Sequence, residues 1–180
     1  SGFPGNEIVM RFAESLDENG MIDITSSGVF HIRGIQTIKY ICGKAGNISY
    51  TPRFTYHGFR YVELSGDFAG QNLDTITGLK MNTDFTQTGL FECDYPILNT
   101  LHSMLYNAFT SNAYGIPTDC PAREKCGWTG DANIIADTSM VIWDSYLFWE
   151  KYLKDILDSK KVYGIWQNIA PGKRGCLDTV

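Results

Sequence analysis

Two hydrophobic rhythms divide the chain. An alternation of apolar and polar positions dominates to about residue 85, and a helical spacing takes over after Gly89. Glu7 to Ala13 begins with an apolar run and then alternates, as a strand with one buried face does. Asp17-Glu18-Asn19-Gly20 is a turn signal, after which Met21 to Thr25 alternates again. Ile35 to Cys42 is rich in β-branched and aromatic residues, and Gly43 to Asn47 turns the chain. Ile48 to Val62 then reads as two more strands, broken near His57-Gly58, and Asp74 to Asp84 reads as a last one. Short strands separated by Gly/Asn turns predict an antiparallel β-sandwich segment. In Phe59 to Glu63 the pleat places Phe59, Tyr61 and Glu63 on one face, with Arg60 and Val62 on the other. Tyr56, Phe59 and Tyr61 read as core or domain seam ahead of a sugar platform, and His57 takes a structural role.

After Gly89 the period changes. Asp94-Tyr95-Pro96 combines an N-cap with a proline in the first turn. Ile97, Leu98, Leu101, Met104, Leu105, Ala108 and Phe109 then share one face of a helix of about four turns that ends before Gly115. From Asp131 to about Asp158 the apolar residues surround most of the cylinder, so one long helix with neighbours on several sides is expected. Between the two helices runs Gly115-Ile116-Pro117-Thr118-Asp119-Cys120-Pro121-Ala122-Arg123-Glu124-Lys125-Cys126-Gly127-Trp128-Thr129-Gly130-Asp131. Two prolines and three glycines make this a structured loop.

The loop carries Asp119, Glu124 and Asp131 with Arg123, Lys125 and Trp128. Their spacing allows the acids to converge on one cavity, or to form a solvated acidic patch neutralised by Arg123 and Lys125. Trp128 favours convergence, because an indole face accepts the apolar face of a pyranose while carboxylates bind its hydroxyls. Asp131 follows Gly130 at the start of an apolar run, where a helix N-terminus favours its ionised form.

These residues carry a resemblance. Thr118 to Glu124, followed by Gly127-Trp128-Thr129-Gly130-Asp131-Ala132, resembles the active-site signature of the bacterial α-L-rhamnosidases, inverting glycoside hydrolases with an (α/α)6 barrel. Pro52 to Glu63 resembles the end of the β-sandwich preceding that barrel, and Gly89 to Asp94 the entry into its first helix, in the family's order, from about Glu7 to Gly175. The resemblance implies an α+β chain, with residues 1–85 a β-sandwich segment and 86–180 the first helices of an incomplete (α/α)6 barrel. Glu124 is then the general acid, and Asp119, Arg123, Trp128 and Asp131 bind the sugar. The general base comes from a later barrel helix, so the chain is expected to be a fragment, inactive alone, whose partners are a rhamnose-containing glycoside and the remainder of the barrel. One departure stands out. The commoner family form has one more residue, and a second acid, between the arginine and the Gly-Trp pair; counting backward from Trp128 assigns the acid to Glu124. Asp137 is a weaker candidate, and Asp155 and Asp158 are ordinary surface charges.

Composition narrows the alternatives. With 43% hydrophobic and 19% charged residues the chain is ordinary globular protein, and a net charge of −5 argues against nucleic acid and anionic membrane surfaces. No apolar run reaches the ~18 residues of a membrane span, and the first seven residues show no signal peptide. Five cysteines, Cys42, Cys93, Cys120, Cys126 and Cys176, read as free buried thiols. The Cys120/Cys126 spacing does not suit a zinc knuckle and His31, His57 and His102 are distant, so no metal or cofactor is expected. Compartment stays open. The other readings are a different six-hairpin glycosidase and a non-catalytic carbohydrate-binding or structural β-sandwich module.

Overall fold

The computed structural model describes residues 2–67 and 76–172. The architecture is α+β. Strand β1 (Glu7–Ala13) is central in a three-stranded antiparallel sheet of order β2-β1-β3, flanked by β2 (Thr37–Ile41) and β3 (Tyr61–Gly66). Three helices follow, α1 (Pro96–Thr110), α2 (Thr129–Ile142) and α3 (Tyr146–Tyr163). The chain divides into two compact units. Ser1–Lys80 with Pro121–Arg123 forms one, and Met81–Cys120 with Glu124–Val180 forms the other.

In the first unit, side-chain chemistry sets the sheet register. Arg11 lies opposite Glu63 and forms an ion pair with it across β1 and β3, while Lys39 of β2 reaches Glu7 of β1 at 2.6 Å. At the far end of β1 the Phe12 ring stacks on His57 with centroids 4.4 Å apart, and Phe59 tilts onto Phe12 at 5.0 Å. His57 Nδ1 is 3.0 Å from Gln36 Oε1, so the histidine packs between a ring and an amide, as its structural reading requires.

Several expected strands are absent. The turn at Asp17 forms as predicted, with Asp17 Oδ1 accepting the Asn19 and Met21 N–H groups. Met21 to Thr25, however, contributes only the single bridge Leu16–Ile22 and then enters a 3-10 segment, Ile24–Arg33, kinked at Gly28. The reason is local. Asp23 Oδ1 accepts the Thr25 N–H at 2.9 Å, and that turn chemistry outcompetes a two-residue alternation. The same bonds, the Thr25 hydroxyl first, hold the Asp23 carboxyl below its ordinary range. Of the two strands expected in Ile48 to Val62, only the end survives, in β3. Pro52 removes a ladder donor and Phe54 takes φ 60°, so the chain cannot pair until Arg60 N–H reaches the Ala13 carbonyl. Of the last expected strand, Asp74 and Thr75 lie outside the described residues, and Ile76 to Asp84 forms none.

The second unit is built on aromatics. Trp143, 1% exposed, packs against Phe109 (4.7 Å) and Tyr106 (4.9 Å), and Phe85 joins Phe109 to Phe148. Helix α1 has the expected length and carries Pro96 in its first turn, but the residue at its cap is Tyr95, in extended conformation, instead of Asp94. Of its apolar face only Leu105 and Phe109 are covered; Ile97, Leu98, Leu101, Met104 and Ala108 are exposed. The single long helix expected from Asp131 to Asp158 is two helices. Trp143 is extended, its neighbour Asp144 donates its N–H to the Thr86 carbonyl at 2.8 Å, and α3 starts after Ser145.

Candidate active site

The loop between α1 and α2 is held shut by backbone and side-chain bonds from its own residues. Asp119 N–H donates to the Cys126 carbonyl (2.9 Å), and the Cys126 N–H donates back to Asp119 Oδ1 (2.8 Å). Upstream, the Thr118 hydroxyl and N–H both donate to the Asn112 carbonyl just past α1. Gly115, with φ 74°, makes the turn between them.

Inside this closure Glu124 is fixed at three points. Its N–H donates to Cys120 Sγ (3.2 Å), its carbonyl accepts the Cys126 thiol (3.2 Å), and its Oε2 accepts the Trp128 indole N–H (3.0 Å). The two cysteines, whose spacing does not suit a zinc knuckle, serve as hydrogen-bonding clips on one glutamate. They are half-buried; of the described cysteines only Cys42 is fully buried, which corrects the expectation of buried thiols throughout. Cys176 lies outside the described residues. Lys125 follows at φ 55°, a left-handed conformation costly for a residue with a Cβ, and burial pushes its ammonium below the ordinary lysine range.

The exit of the loop is clamped from far along the chain. Tyr152 of α3 donates its hydroxyl to the Gly127 carbonyl (2.8 Å), and Ala170 N–H donates to the same oxygen (2.9 Å). A Cβ on Gly127 would stand 2.1 Å from the Ala170 carbonyl, so only glycine fits there. Trp128 bridges Ile169, and the Thr129 N–H and hydroxyl both reach the Asn168 carbonyl. Burial first, then the carboxylates of Asp155 and Asp131, pushes the Tyr152 phenol up to about 12.

Of the residues singled out in the sequence, Glu124 and Trp128 are in direct contact. Asp119 is half-buried with one oxygen turned to the loop backbone. Asp131 is exposed in the first turn of α2, as its position after Gly130 implies, while the cap position itself belongs to Trp128. Arg123 is exposed and belongs to the short Pro121–Arg123 span of the first unit, where the Pro121 carbonyl accepts the Gly58 N–H at 3.0 Å. Asp137 is exposed on α2, and Asp155 and Asp158 pair with Lys151 and Lys161. Sequence reasoning missed Tyr152, Asn168 and Ala170 as holders of the loop. Their bonds span 25 to 43 residues and leave no local pattern. Among the described residues no cluster of His, Cys, Asp and Glu could hold a metal ion.

Comparison with known proteins gives a consistent result. The family model for the bacterial alpha-L-rhamnosidase 6 hairpin glycosidase domain matches residues 86–179, and that for the bacterial alpha-L-rhamnosidase concanavalin-like domain matches residues 1–82. An alpha-L-rhamnosidase of Formosa agariphila is 37% identical over 149 residues, which is 77% of this chain and 16% of that protein. The structure of alpha-L-rhamnosidase from Dictyoglumus thermophilum superposes with a TM-score of 0.85 at 36% identity, over 97% of this chain and 19% of that one. The crystal structure of Streptomyces avermitilis alpha-L-rhamnosidase complexed with L-rhamnose does so with a TM-score of 0.83 at 36% identity, over 98% and 17%. The chain thus spans between 16 and 19% of the length of these relatives.

Proposed function

Because this chain belongs to the bacterial α-L-rhamnosidase family, we propose that it carries the acid loop of a glycoside hydrolase that releases terminal α-L-rhamnose with inversion. Residues 1–85 are then a β-sandwich segment and 86–180 the first helices of the catalytic (α/α)6 barrel. The observation that carries the reading is the fixed carboxyl of Glu124, held through backbone and side chain beside an indole.

In this mechanism protonated Glu124 donates its proton to the glycosidic oxygen as the bond to the anomeric carbon breaks. The leaving group departs as its alcohol and Glu124 is left as carboxylate. A water attacks the opposite face and passes its proton to a second carboxylate, about 6.5–9.5 Å from the first in inverting enzymes. That base belongs to the remainder of the barrel, so the activity belongs to a polypeptide of the relatives' full length. Asp119 and Asp131 accept hydrogen bonds from sugar hydroxyls, Asp119 through the oxygen not bonded to Cys126. Trp128 presents its apolar ring to the methyl-bearing side of rhamnose, and Arg123 binds sugar or anchors the loop. The substrate is a rhamnose-containing glycoside or oligosaccharide, and the chemistry needs no cofactor.

The test is Glu124→Gln in the full-length enzyme. Turnover of rhamnosides with poor leaving groups is expected to fall by about 10²–10⁴, the usual worth of a general acid. Activated aryl rhamnosides, which need little protonation, should lose far less. Equal losses on both substrate types would remove Glu124 from the acid role.

A further inference from the structure

We infer that Trp128 is a positioning residue for proton transfer as well as a wall of the sugar site: its indole N–H engages Glu124 Oε2 and leaves Oε1 as the oxygen that carries and donates the catalytic proton. This rests on the assignment of Glu124 as the acid.

The indole Nε1–H is a donor with no acceptor capacity, and it stands 3.0 Å from Oε2. A neutral carboxyl has one carbonyl oxygen and one hydroxyl oxygen, and the carbonyl oxygen is the better acceptor. The tautomer with the proton on Oε1 satisfies the bond from Trp128, and the alternative weakens it. The backbone of Glu124 is held independently by the two cysteine sulfurs, at 3.2 Å each, so the indole bond acts on a side chain whose Cα is already placed. Trp128 is itself held, through the Ile169 bridge and its backbone N–H, which donates to the Cys126 carbonyl at 3.0 Å.

The bond also strengthens in the direction of reaction. As the Oε1–H proton moves to the glycosidic oxygen, negative charge develops on the carboxylate, and a donor to a carboxylate is stronger than the same donor to a neutral carbonyl. Trp128 thus stabilises the transition state more than the ground state, which raises kcat instead of lowering KM. A tryptophan that only lined the sugar would act on KM.

Trp128→Phe separates the two roles, since it keeps an apolar ring and removes the N–H. In the full-length enzyme kcat on rhamnosides with poor leaving groups is expected to drop on the order of tenfold to a hundredfold, and kcat on activated aryl rhamnosides to fall by a clearly smaller factor. A rise in KM with kcat unchanged on both substrates would overturn the inference while leaving Glu124 as the acid. An equal loss for Glu124→Gln on both substrates would instead remove the acid assignment on which it rests. A second measurement needs no turnover. In the present chain the Trp128 indole N–H resonance, identified by its loss in Trp128→Phe, should move upfield and exchange faster with solvent in Glu124→Ala. An unmoved resonance would show that the bond to Glu124 is not made.

Discussion

Glu124 and Trp128 are four residues apart, and their proximity in the loop is legible from sequence as a possibility only. The hydrogen bond between them depends on a backbone path that sequence does not display, through Lys125 in the left-handed region and a closure at Asp119 and Cys126. Tyr152 shows the same limit from the other side. It lies within the run expected to be one helix, with nothing local to single it out, yet its buried hydroxyl holds the carbonyl of Gly127. Tyr152→Phe is expected to destabilise the chain by about 1 kcal/mol, at the low end for a buried pair, because the Gly127 carbonyl keeps its bond from Ala170. Urea unfolding of both proteins measures it. The phenol, raised from 10.0 to about 12, adds a pH dependence. Its contribution is fully present below the unfolded value and is lost as pH rises from about 10 to about 12, since the unfolded chain ionises first. Over that window wild type should lose stability that Tyr152→Phe keeps, because only the phenol titrates there. Parallel alkaline curves for the two would show that Tyr152 is not the group responsible.

At the scale of elements, period identifies helices well and their breaks poorly. Apolar residues recur from Ile134 to Leu157 without a gap, and periodicity alone joins α2 to α3. The available signal was Asp144-Ser145, two residues that favour helix N-termini, and Ser145 does stand at the cap position of α3. What enforces the break is tertiary. Thr88 and Gly89 both donate their N–H groups to the Ile142 carbonyl at 2.9 Å, and Gln87 bridges Trp143, so an extended segment occupies the end of α2. A Cβ at position 89 would lie 2.2 Å from the Val141 carbonyl. Gly89→Ala is therefore expected to cost about 1–3 kcal/mol, the range for overpacking, read as a lower urea midpoint with unchanged slope. A wild-type midpoint would mean that the segment shifts freely. The β half follows the same logic, since alternation located β1 and β-branched and aromatic content located β2, whereas turn chemistry at Asp23 and a positive φ at Phe54 cancelled strands that local pattern supported.

At the scale of the whole molecule, the helices expose apolar side chains that a self-contained core would cover. Ile134 is 81% exposed and Leu147 74%, and Ile97, Leu101, Met104, Val141 and Leu153 are exposed as well. On α1, Ile97, Leu101 and Met104 recur at the spacing of one helix face, and an exposed apolar face marks an interface. It suits the proposal that the remainder of the barrel packs on α1 to α3. The isolated chain is expected to bind a hydrophobic dye strongly and to associate as its concentration rises, followed by dye fluorescence and sedimentation. A monomer silent to the dye at all concentrations would argue that these faces are covered some other way.

What the sequence determined by itself is local and compositional: an α+β order, a stiffened loop between two helices, a glutamate and a tryptophan within reach of each other, and a motif specific enough to indicate the family. These follow from rotational preference, period and residue chemistry, which act over a few positions. The tertiary structure decided which oxygen of Glu124 is engaged, why Gly127 must be glycine, where the long helix breaks and which thiols serve as clips. Each of those depends on carbonyls and side chains brought together by packing, and a hydrogen bond between groups distant along the chain has no periodicity to read.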